Sequence, residues 1–295
     1  MRRRIQGRRA AVAVTGAAAT MTTAGLVTAG RRWMRHQAAV ARGVIGKPFG
    51  EDAWLADRTY RRRFDGRLDL LLLGDSIAAG LGADKPKHTL GARLAKGLGK
   101  RTECAVTLTT AAQVGAESPW LPRQLATLPP GYRPDVAVIV VGGNDVTHGI
   151  PLGESIRHLA ATIDALRERG AIVVVGTCPD LGALVAVPQP LRTFAAQASR
   201  RLAGAQRRAA RRHGAYVVPL GTVLRPVFAA EPEVMFSRDR FHPSSAGYQR
   251  AARAILPVIV SALEDAELLA PGGQSASRKP STAASQAAGC SRLGK

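Results

Sequence analysis

Gly74-Asp75-Ser76 directly follows the apolar run Leu68–Leu73, a run that is typical of a buried strand. A serine at this point has its hydroxyl at the carboxyl end of a strand, where open parallel sheets carry their chemistry. A serine hydroxyl is a poor nucleophile at neutral pH. It needs a base within hydrogen-bond reach and a third group that orients the base. The tripeptide therefore indicates chemistry only if such partners occur elsewhere in the chain.

His242 has the most suitable setting for that base among the six histidines. It lies in the segment Asp239–Ser244, after the last predicted strand and before the last predicted helix. An aspartate three residues before a histidine can fold back and accept the imidazole N–H, so one segment supplies both base and orienting acid. For Asp239 and His242 taken alone, an ordinary loop pair is the alternative interpretation.

Two glycine-containing turns also follow predicted strands. Gly142-Gly143-Asn144-Asp145 comes after a strand that ends at Val141, and Gly115 comes after the second strand. The Asn144 amide can donate a hydrogen bond to a developing oxyanion, as can the Gly115 backbone N–H. Asn, Asp and Gly are also common turn residues, so each turn alone has a structural explanation. Because the carboxyl ends of parallel strands share one edge of the sheet, we expect all these residues to lie near Ser76.

The middle of the chain alternates strand and helix patterns, which predicts an α/β fold with a parallel sheet and right-handed crossovers. The predicted strands are Leu68–Leu73, Cys104–Thr109, Asp135–Val141, Ala171–Gly176 and Tyr216–Leu220. The predicted helices are His88–Lys100, Trp120–Leu128, Glu154–Arg169, Leu191–His213 and Ser245–Glu267.

With these blocks in this order, the chain resembles the SGNH, or GDSL-type, serine hydrolases, which are named after Ser, Gly, Asn and His in four sequence blocks. The resemblance covers roughly residues 66–265. It implies a three-layer αβα sandwich with a five-stranded, parallel, flavodoxin-like sheet. Gly74–Ala78 lacks the second glycine of the GxSxG elbow, which disfavours the neighbouring α/β-hydrolase class.

The resemblance also implies a role for each candidate residue. Ser76 would be the nucleophile, with His242 as base and Asp239 as the acid that orients it. The oxyanion donors would be the backbone N–H groups of Ser76 and Gly115 and the side-chain amide of Asn144. The implied reaction is hydrolysis of a carboxylic ester (short-chain acyl, lipid or O-acetyl-sugar) through an acyl-enzyme, without a metal or an organic cofactor.

Other functions remain open at this stage. An acyltransferase could use the same residues with a sugar or lipid hydroxyl in place of water. A non-catalytic module that binds cell wall or carbohydrate is the alternative from another class, although an intact Ser76, Asn144 and His242 argue against it. Nucleotide binding at Gly80-Leu81-Gly82 is disfavoured because neither GK[ST] nor GxGxxG is present. The arginines of Leu191–His213 favour a solvated face or one near anionic lipid, so we expect no nucleic-acid partner.

The formal net charge of +21 belongs mostly to the ends of the chain. Residues 1–63 hold 14 Lys/Arg against 3 Asp/Glu, residues 64–270 hold 24 against 18, and residues 271–295 hold 4 against none. The central part is therefore only mildly basic. The basic ends suit contact with anionic lipid or cell wall better than they suit nucleic acid.

The N-terminal sequence predicts export or membrane attachment. Five arginines in residues 1–9 precede the uncharged stretch Ala10–Gly30, and further arginines follow it. We interpret residues 1–35 as a basic leader with an apolar signal or anchor segment, 36–65 as a linker, 66–268 as the hydrolase domain and 269–295 as a disordered tail. The domain is then expected outside the cytoplasm, secreted or anchored. A disordered basic leader on a cytoplasmic protein is the alternative.

The three cysteines, Cys104, Cys178 and Cys290, have no metal-ligand spacing and allow at most one disulfide. Cys104 and Cys178 fall in or beside predicted strands. We therefore expect them to be small buried apolar residues.

Overall fold

A computed structural model describes residues 52–266 and eight scattered positions between 28 and 43. The predicted tail 269–295, with Cys290, and all of the apolar stretch Ala10–Gly30 except Thr28 lie outside the described residues. Within the described part, no helix is long and apolar enough to cross a membrane.

Six strands form one sheet in the order β1-β3-β2-β4-β5-β6. All neighbours are parallel except β1, which pairs antiparallel with β3. The strands are β1 (Thr59–Tyr60), β2 (Gly66–Gly74), β3 (Cys104–Thr110), β4 (Val136–Val140), β5 (Ile172–Gly176) and β6 (Tyr216–Val218).

Nine α-helices occur within residues 52–266, and four of them have only four to six residues. The helices are α1 (Ser76–Ala79), α2 (Leu90–Arg101), α3 (Leu121–Ala126), α4 (Gly143–His148), α5 (Leu152–Glu168), α6 (Leu191–Arg212), α7 (Leu220–Ala230), α8 (Pro232–Met235) and α9 (Ser245–Asp265).

The structure confirms the α/β sandwich and corrects the strand count. The five predicted strands run parallel in the order β3-β2-β4-β5-β6, which is the flavodoxin-like order. The sixth strand, β1, makes the sheet mixed and lies within the predicted linker 36–65. The sequence did not predict β1 because Thr59–Tyr60 is only two residues long and is followed by Arg61–Arg63, so it has no alternating apolar pattern.

The core lies in two layers, one on each face of the sheet. In β2, Leu70 and Leu72 face one layer, whereas Leu71 and Leu73 face the other, as the two-residue period of a strand requires. Helices α2 and α9 cover the first face, and α3, α5 and α6 cover the second. With both faces buried, β2 and β4 have continuous apolar sequences, which is why they were the clearest strands to predict.

Cys104 and Cys178 are free thiols in the core, as expected. Complete burial raises the pKa of the Cys178 thiol well above its usual value, so this residue is an inert packing group.

The strand order reverses between β2 and β4, and this reversal fixes where a ligand can bind. Chain connections leave β2 toward β3 on one side and β4 toward β5 on the other, so a crevice opens above the carboxyl ends of β2 and β4. Gly74 of β2 is in register with Val140 of β4, so both strands end at the same level. The turns that carry Ser76 and Asn144 begin side by side there.

Candidate active site

Close backbone contact fixes the turn that carries Ser76. Gly74 has φ of 131°, and a Cβ atom on it would lie 1.8 Å from the carbonyl oxygen of Val140, so only glycine fits. The N–H of Gly74 donates to Oε1 of Gln124 (2.9 Å), and Nε2 of Gln124 donates to the Gly74 carbonyl (2.7 Å). This fully buried glutamine ties the end of β2 to α3.

Sequence reasoning missed Gln124, although a signal was present. It lies between Leu121 and Leu125 at helical spacing, so it is a polar residue on the face of α3 that packs on the sheet. A buried amide needs hydrogen-bond partners, and the backbone at a strand end is where unpaired groups occur.

The structure brings Ser76, His242 and Asp239 together in one hydrogen-bonded chain. Oγ of Ser76 lies 2.8 Å from Nε2 of His242, and Nδ1 of His242 lies 2.5 Å from Oδ2 of Asp239. Ser76 begins α1, while Asp239 and His242 lie in the loop between α8 and α9. The Phe241 ring packs edge-on against the His242 imidazole, with ring centroids 5.0 Å apart, and this contact limits rotation of the imidazole.

Asp239 is built to remain charged. Burial alone would raise its pKa, but hydrogen bonds from His242 and Ser237 and the backbone N–H of Phe241 outweigh burial and lower the pKa to about 2. Oδ1 accepts from Ser237 Oγ at 2.7 Å and from the N–H groups of Phe241 and His242 at 2.9 Å. An ionised carboxylate only accepts, so Nδ1 of His242 is the donor, and Nε2 of the neutral ring is free to accept the Ser76 hydroxyl proton.

Asn144 lies in the first turn of α4 and lines the same pocket as Ser76. Its Nδ2 donates one hydrogen to the carbonyl of Ala116 at 2.9 Å. An amide nitrogen carries two hydrogens, so the second is available to a ligand. The bond to Ala116 fixes the side chain and preorganises this donor.

Gly115 lies in a loop beside both turns and has no hydrogen bond to Ser76. Gln113 donates its N–H to the carbonyl of Gly74 (3.1 Å), and the Ala116 carbonyl accepts from Asn144, so the loop is held on both sides of Gly115. Gly115 has φ of 80°, a conformation that favours glycine. Within the described residues, neither its N–H nor that of Ser76 donates a hydrogen bond.

Asp145, next to Asn144, holds the loop and faces away from the chemistry. Its Oδ2 accepts from the N–H of Ser118 at 3.0 Å, and its Oδ1 accepts from Oγ of Ser155 at 2.5 Å. These bonds join the start of α4 to α5 and to the loop that carries Gly115. Both oxygens are occupied by structural donors, so the carboxylate is a positioning group.

Asp75 connects the turn of Ser76 to the turn of Asn144. Its Oδ1 accepts from the N–H of Ile77 at 3.0 Å, and the backbone of Gly143 also stabilises its charged form. Burial nevertheless dominates and raises the pKa of Asp75 to about 6, because the hydrogen bonds and the nearby His242 compensate only in part.

The raised pKa of Asp75 predicts a specific dependence of stability on pH. In the unfolded chain the Asp75 carboxyl titrates near the usual aspartate pKa of about 3.9. Between about pH 4 and pH 6 the folded state therefore binds more protons than the unfolded state. The free energy of unfolding should therefore fall by about 3 kcal/mol as the pH rises through this window. We expect urea titrations at pH 4, 5 and 7 to show this loss in the wild type relative to Asp75→Asn. Parallel pH curves for the two proteins would contradict the assignment.

A mainly apolar pocket of about 800 Å³, including its open mouth, adjoins Ser76 and His242. We call it the apolar pocket. It lies between the loop after β5, helix α7 and the loop before α9. Its apolar lining includes Leu181, Leu184, Leu220, Leu224, Phe228, Phe236 and Phe241.

For the ester hydrolysis and the oxyanion role that the sequence resemblance implies, Asn144→Ala is expected to lower kcat by about 100-fold or more, the usual cost of losing one oxyanion donor. The substitution removes the Nδ2 donor and its bond to Ala116. The measurement is steady-state kinetics with a short-chain aryl ester. Thr147→Ala, at an exposed position of the same helix that does not line the pocket, is the matched control. An unchanged kcat in Asn144→Ala would remove this residue from the oxyanion site.

Among the described residues, no cluster of three or more His, Cys, Asp or Glu side chains could hold a metal ion. Two other histidines are held by separate carboxylates. Nδ1 of His148 pairs with Glu117 at 2.6 Å and that of His213 with Asp164 at 2.8 Å. Neither histidine lines the apolar pocket.

Residues 72–250 match the family model of the GDSL-like lipase/acylhydrolase family. A GDSL-like esterase from Mycobacterium tuberculosis is 40% identical over 269 residues, and the alignment covers 88% of this chain and 85% of the relative.

Solved structures show the same fold. TesA superposes with a TM-score of 0.52 at 27% identity, covering 66% of this chain and 99% of TesA. The psychrotrophic esterase EstA from Pseudoalteromonas sp. gives a TM-score of 0.53 at 17% identity, covering 66% of this chain and 98% of EstA. The acetyl xylan esterase AlAXEase gives a TM-score of 0.52 at 20% identity, covering 65% of this chain and 100% of AlAXEase.

Proposed function

Because the chain belongs to the GDSL-like lipase/acylhydrolase family and is a carboxylic ester hydrolase, we propose that Ser76, His242 and Asp239 are its catalytic triad. The observation that carries the proposal is the hydrogen-bonded chain from Oγ of Ser76 through His242 to Asp239, with distances of 2.8 Å and 2.5 Å. Both lie within the reach that proton transfer requires.

In the first half of the reaction, Oγ of Ser76 attacks the ester carbonyl while Nε2 of His242 takes the hydroxyl proton. The ionised Asp239 stabilises the imidazolium that forms, since the low pKa of Asp239 keeps its carboxylate from taking the proton. The negative charge on the tetrahedral oxygen is met by the N–H groups of Ser76 and Gly115 and by Nδ2 of Asn144.

His242 then donates its proton to the leaving alcohol, and an acyl-enzyme remains on Ser76. Water attacks this ester with His242 again as base, and collapse of the second tetrahedral state releases the acid and restores the serine. Every proton transfer uses Nε2 of His242, so these steps need only side chains, backbone N–H groups and water.

The lining of the apolar pocket supports an ester whose acyl chain is aliphatic. Leucine and phenylalanine side chains surround the space next to Ser76, and each methylene buried there contributes about 0.8 kcal/mol. We expect kcat/KM to rise along a series of 4-nitrophenyl esters from acetate until the chain fills the pocket. Chromatography of the products should show free acid and alcohol. Transfer of the acyl group to an added alcohol, with no free acid, would make the protein an acyltransferase.

The N-terminal sequence supports export of this domain, which is then secreted or held at the membrane. The support is the basic segment 1–9 followed by the uncharged stretch Ala10–Gly30, which together have the pattern of an export signal or anchor. Fractionation followed by external protease on spheroplasts tests it, with the domain expected to be cleaved. A domain protected in intact spheroplasts would count against an external location.

A further inference from the structure

A second cavity of about 950 Å³, including its open mouth, lies between α6 and α7 beyond the wall of the apolar pocket. Three guanidinium groups line it, those of Arg200 and Arg207 on α6 and of Arg225 on α7, and we call it the arginine groove. Asp180 is the one acidic residue of its lining.

The charges in the groove do not balance. Oδ2 of Asp180 accepts from Nε of Arg200 (2.9 Å) and from Nε of Arg225 (3.0 Å), while its Oδ1 accepts from the N–H of Gly182 (2.8 Å). This single buried carboxylate is therefore fully used. Arg207 forms no ion pair or hydrogen bond with any residue that the structure describes. One negative charge against three positive charges leaves two in excess.

The groove has room for a ligand because its α6 side is made of small residues. Ala203 and Gly204 lie between Arg200 and Arg207 on the same face of the helix, since residues three, four and seven apart share one face. A Cβ atom on Gly204 would meet only Arg208 within 4 Å, at 3.6 Å, so this side is open.

The groove and the apolar pocket share a wall. Asp180, Gly221 and Arg225 line both cavities, so the two cavities adjoin at these residues. Arginine recognises carboxylate and phosphate oxygens through paired N–H donors.

We propose that the arginine groove binds an anionic group of the ester substrate, at the far end of the chain that occupies the apolar pocket. The proposal rests on the proposed function and adds a substrate class to it: esters with a carboxylate or phosphate beyond an aliphatic segment. A solvated basic face explains other exposed arginines of α6, such as Arg201 and Arg211, but these line neither cavity.

The test compares matched neutral and anionic esters in two arms. In the first, the anion is on the acyl side: 4-nitrophenyl hemiesters of dicarboxylic acids with two to ten methylenes, against methyl-terminated acyl esters of equal length. In the second, the anion is on the alcohol side: acetate esters of ω-hydroxyalkyl phosphates with the same range of methylenes, against acetate esters of the alkanols of equal length. The wild type is expected to prefer the anionic member in the arm that matches the bound orientation, and added NaCl should weaken the preference.

Arg207→Gln is the decisive variant because Arg207 holds no structural partner, whereas loss of Arg200 or Arg225 would also disturb Asp180. We expect the ratio of kcat/KM for anionic over neutral ester to fall by about tenfold in Arg207→Gln, as expected for one lost charge-assisted hydrogen bond. Arg201→Gln removes the same charge from the adjacent position on the same helix and is the matched control. Its ratio should equal that of the wild type.

The outcomes separate the groove proposal from the proposed ester hydrolysis. No preference in either arm, a preference that Arg207→Gln keeps, or equal losses in Arg207→Gln and Arg201→Gln would overturn the groove proposal while leaving ester hydrolysis intact. Failure of the wild type to hydrolyse any ester in either arm would instead overturn the proposed function. Because the neutral ester is measured in every protein, a folding defect cannot imitate a change in the ratio.

Discussion

Ser76→Ala is expected to lower kcat/KM for a short-chain aryl ester by at least about 10³-fold, leaving only the catalysis that the oxyanion donors supply by themselves. The substitution removes the one oxygen that Nε2 of His242 contacts at 2.8 Å, so no acyl-enzyme can form. The fold should persist, because the Ser76 hydroxyl has no other side-chain partner and alanine suits the start of α1. The measurement is initial-rate kinetics together with a thermal melt of each protein.

Ser261→Ala is the matched control for this substitution. Ser261 is an exposed serine on α9, so the same change there should leave both the rate and the melting temperature as in the wild type. Retention of more than about 1% of the activity by a folded Ser76→Ala protein would contradict the assignment of Ser76 as nucleophile.

Asp239→Asn is expected to lower kcat by about 10³- to 10⁴-fold with little change in shape. The amide NH₂ of the asparagine cannot accept a hydrogen bond from Nδ1 of His242. It would donate one instead, so Nδ1 would become the acceptor and lose its proton. The imidazole would then carry its proton on Nε2, facing Ser76, and could not serve as base. The remaining contacts of Asp239 use Oδ1, which an amide oxygen can replace. Kinetics at neutral pH measure the loss.

The pH dependence of stability provides a second readout for Asp239. Its folded pKa of about 2 lies below the unfolded value, so the stability that its carboxylate contributes is present above about pH 4 and is lost as the pH falls toward 2. The asparagine variant lacks this acid-sensitive contribution. Full activity in Asp239→Asn would show that His242 is oriented by another group.

The apolar strands and the site turns could be predicted because their sequences are local signals. Buried parallel strands such as β4 show as unbroken runs of valine and isoleucine. Ser76 and Asn144 come soon after such runs, so the geometry of a parallel sheet is enough to place both at its carboxyl edge. His242 was recognisable through Asp239 three residues earlier, although the loop that carries them follows two helices that the sequence patterns did not predict.

The elements that were missed depend on tertiary contacts. Helix α7 includes Gly221 and Pro226, residues that weaken a helical prediction, and it forms because Leu220 and Phe228 are buried against the core and the pocket. The bidentate contact of Gln124 with Gly74 joins residues 50 positions apart and cannot be derived from local spacing. The shared wall of the two cavities depends in the same way on how α6 and α7 pack.

Covalent labelling with a fluorophosphonate tests the central claim, an activated serine at position 76, most directly. The probe's phosphorus is attacked by an activated serine, fluoride leaves, and the adduct resembles the tetrahedral state that the oxyanion donors stabilise. We expect one adduct per chain, mapped by peptide mass spectrometry to Ser76, and its loss in His242→Ala. An adduct on another residue, or no adduct in a protein that hydrolyses esters, would contradict it.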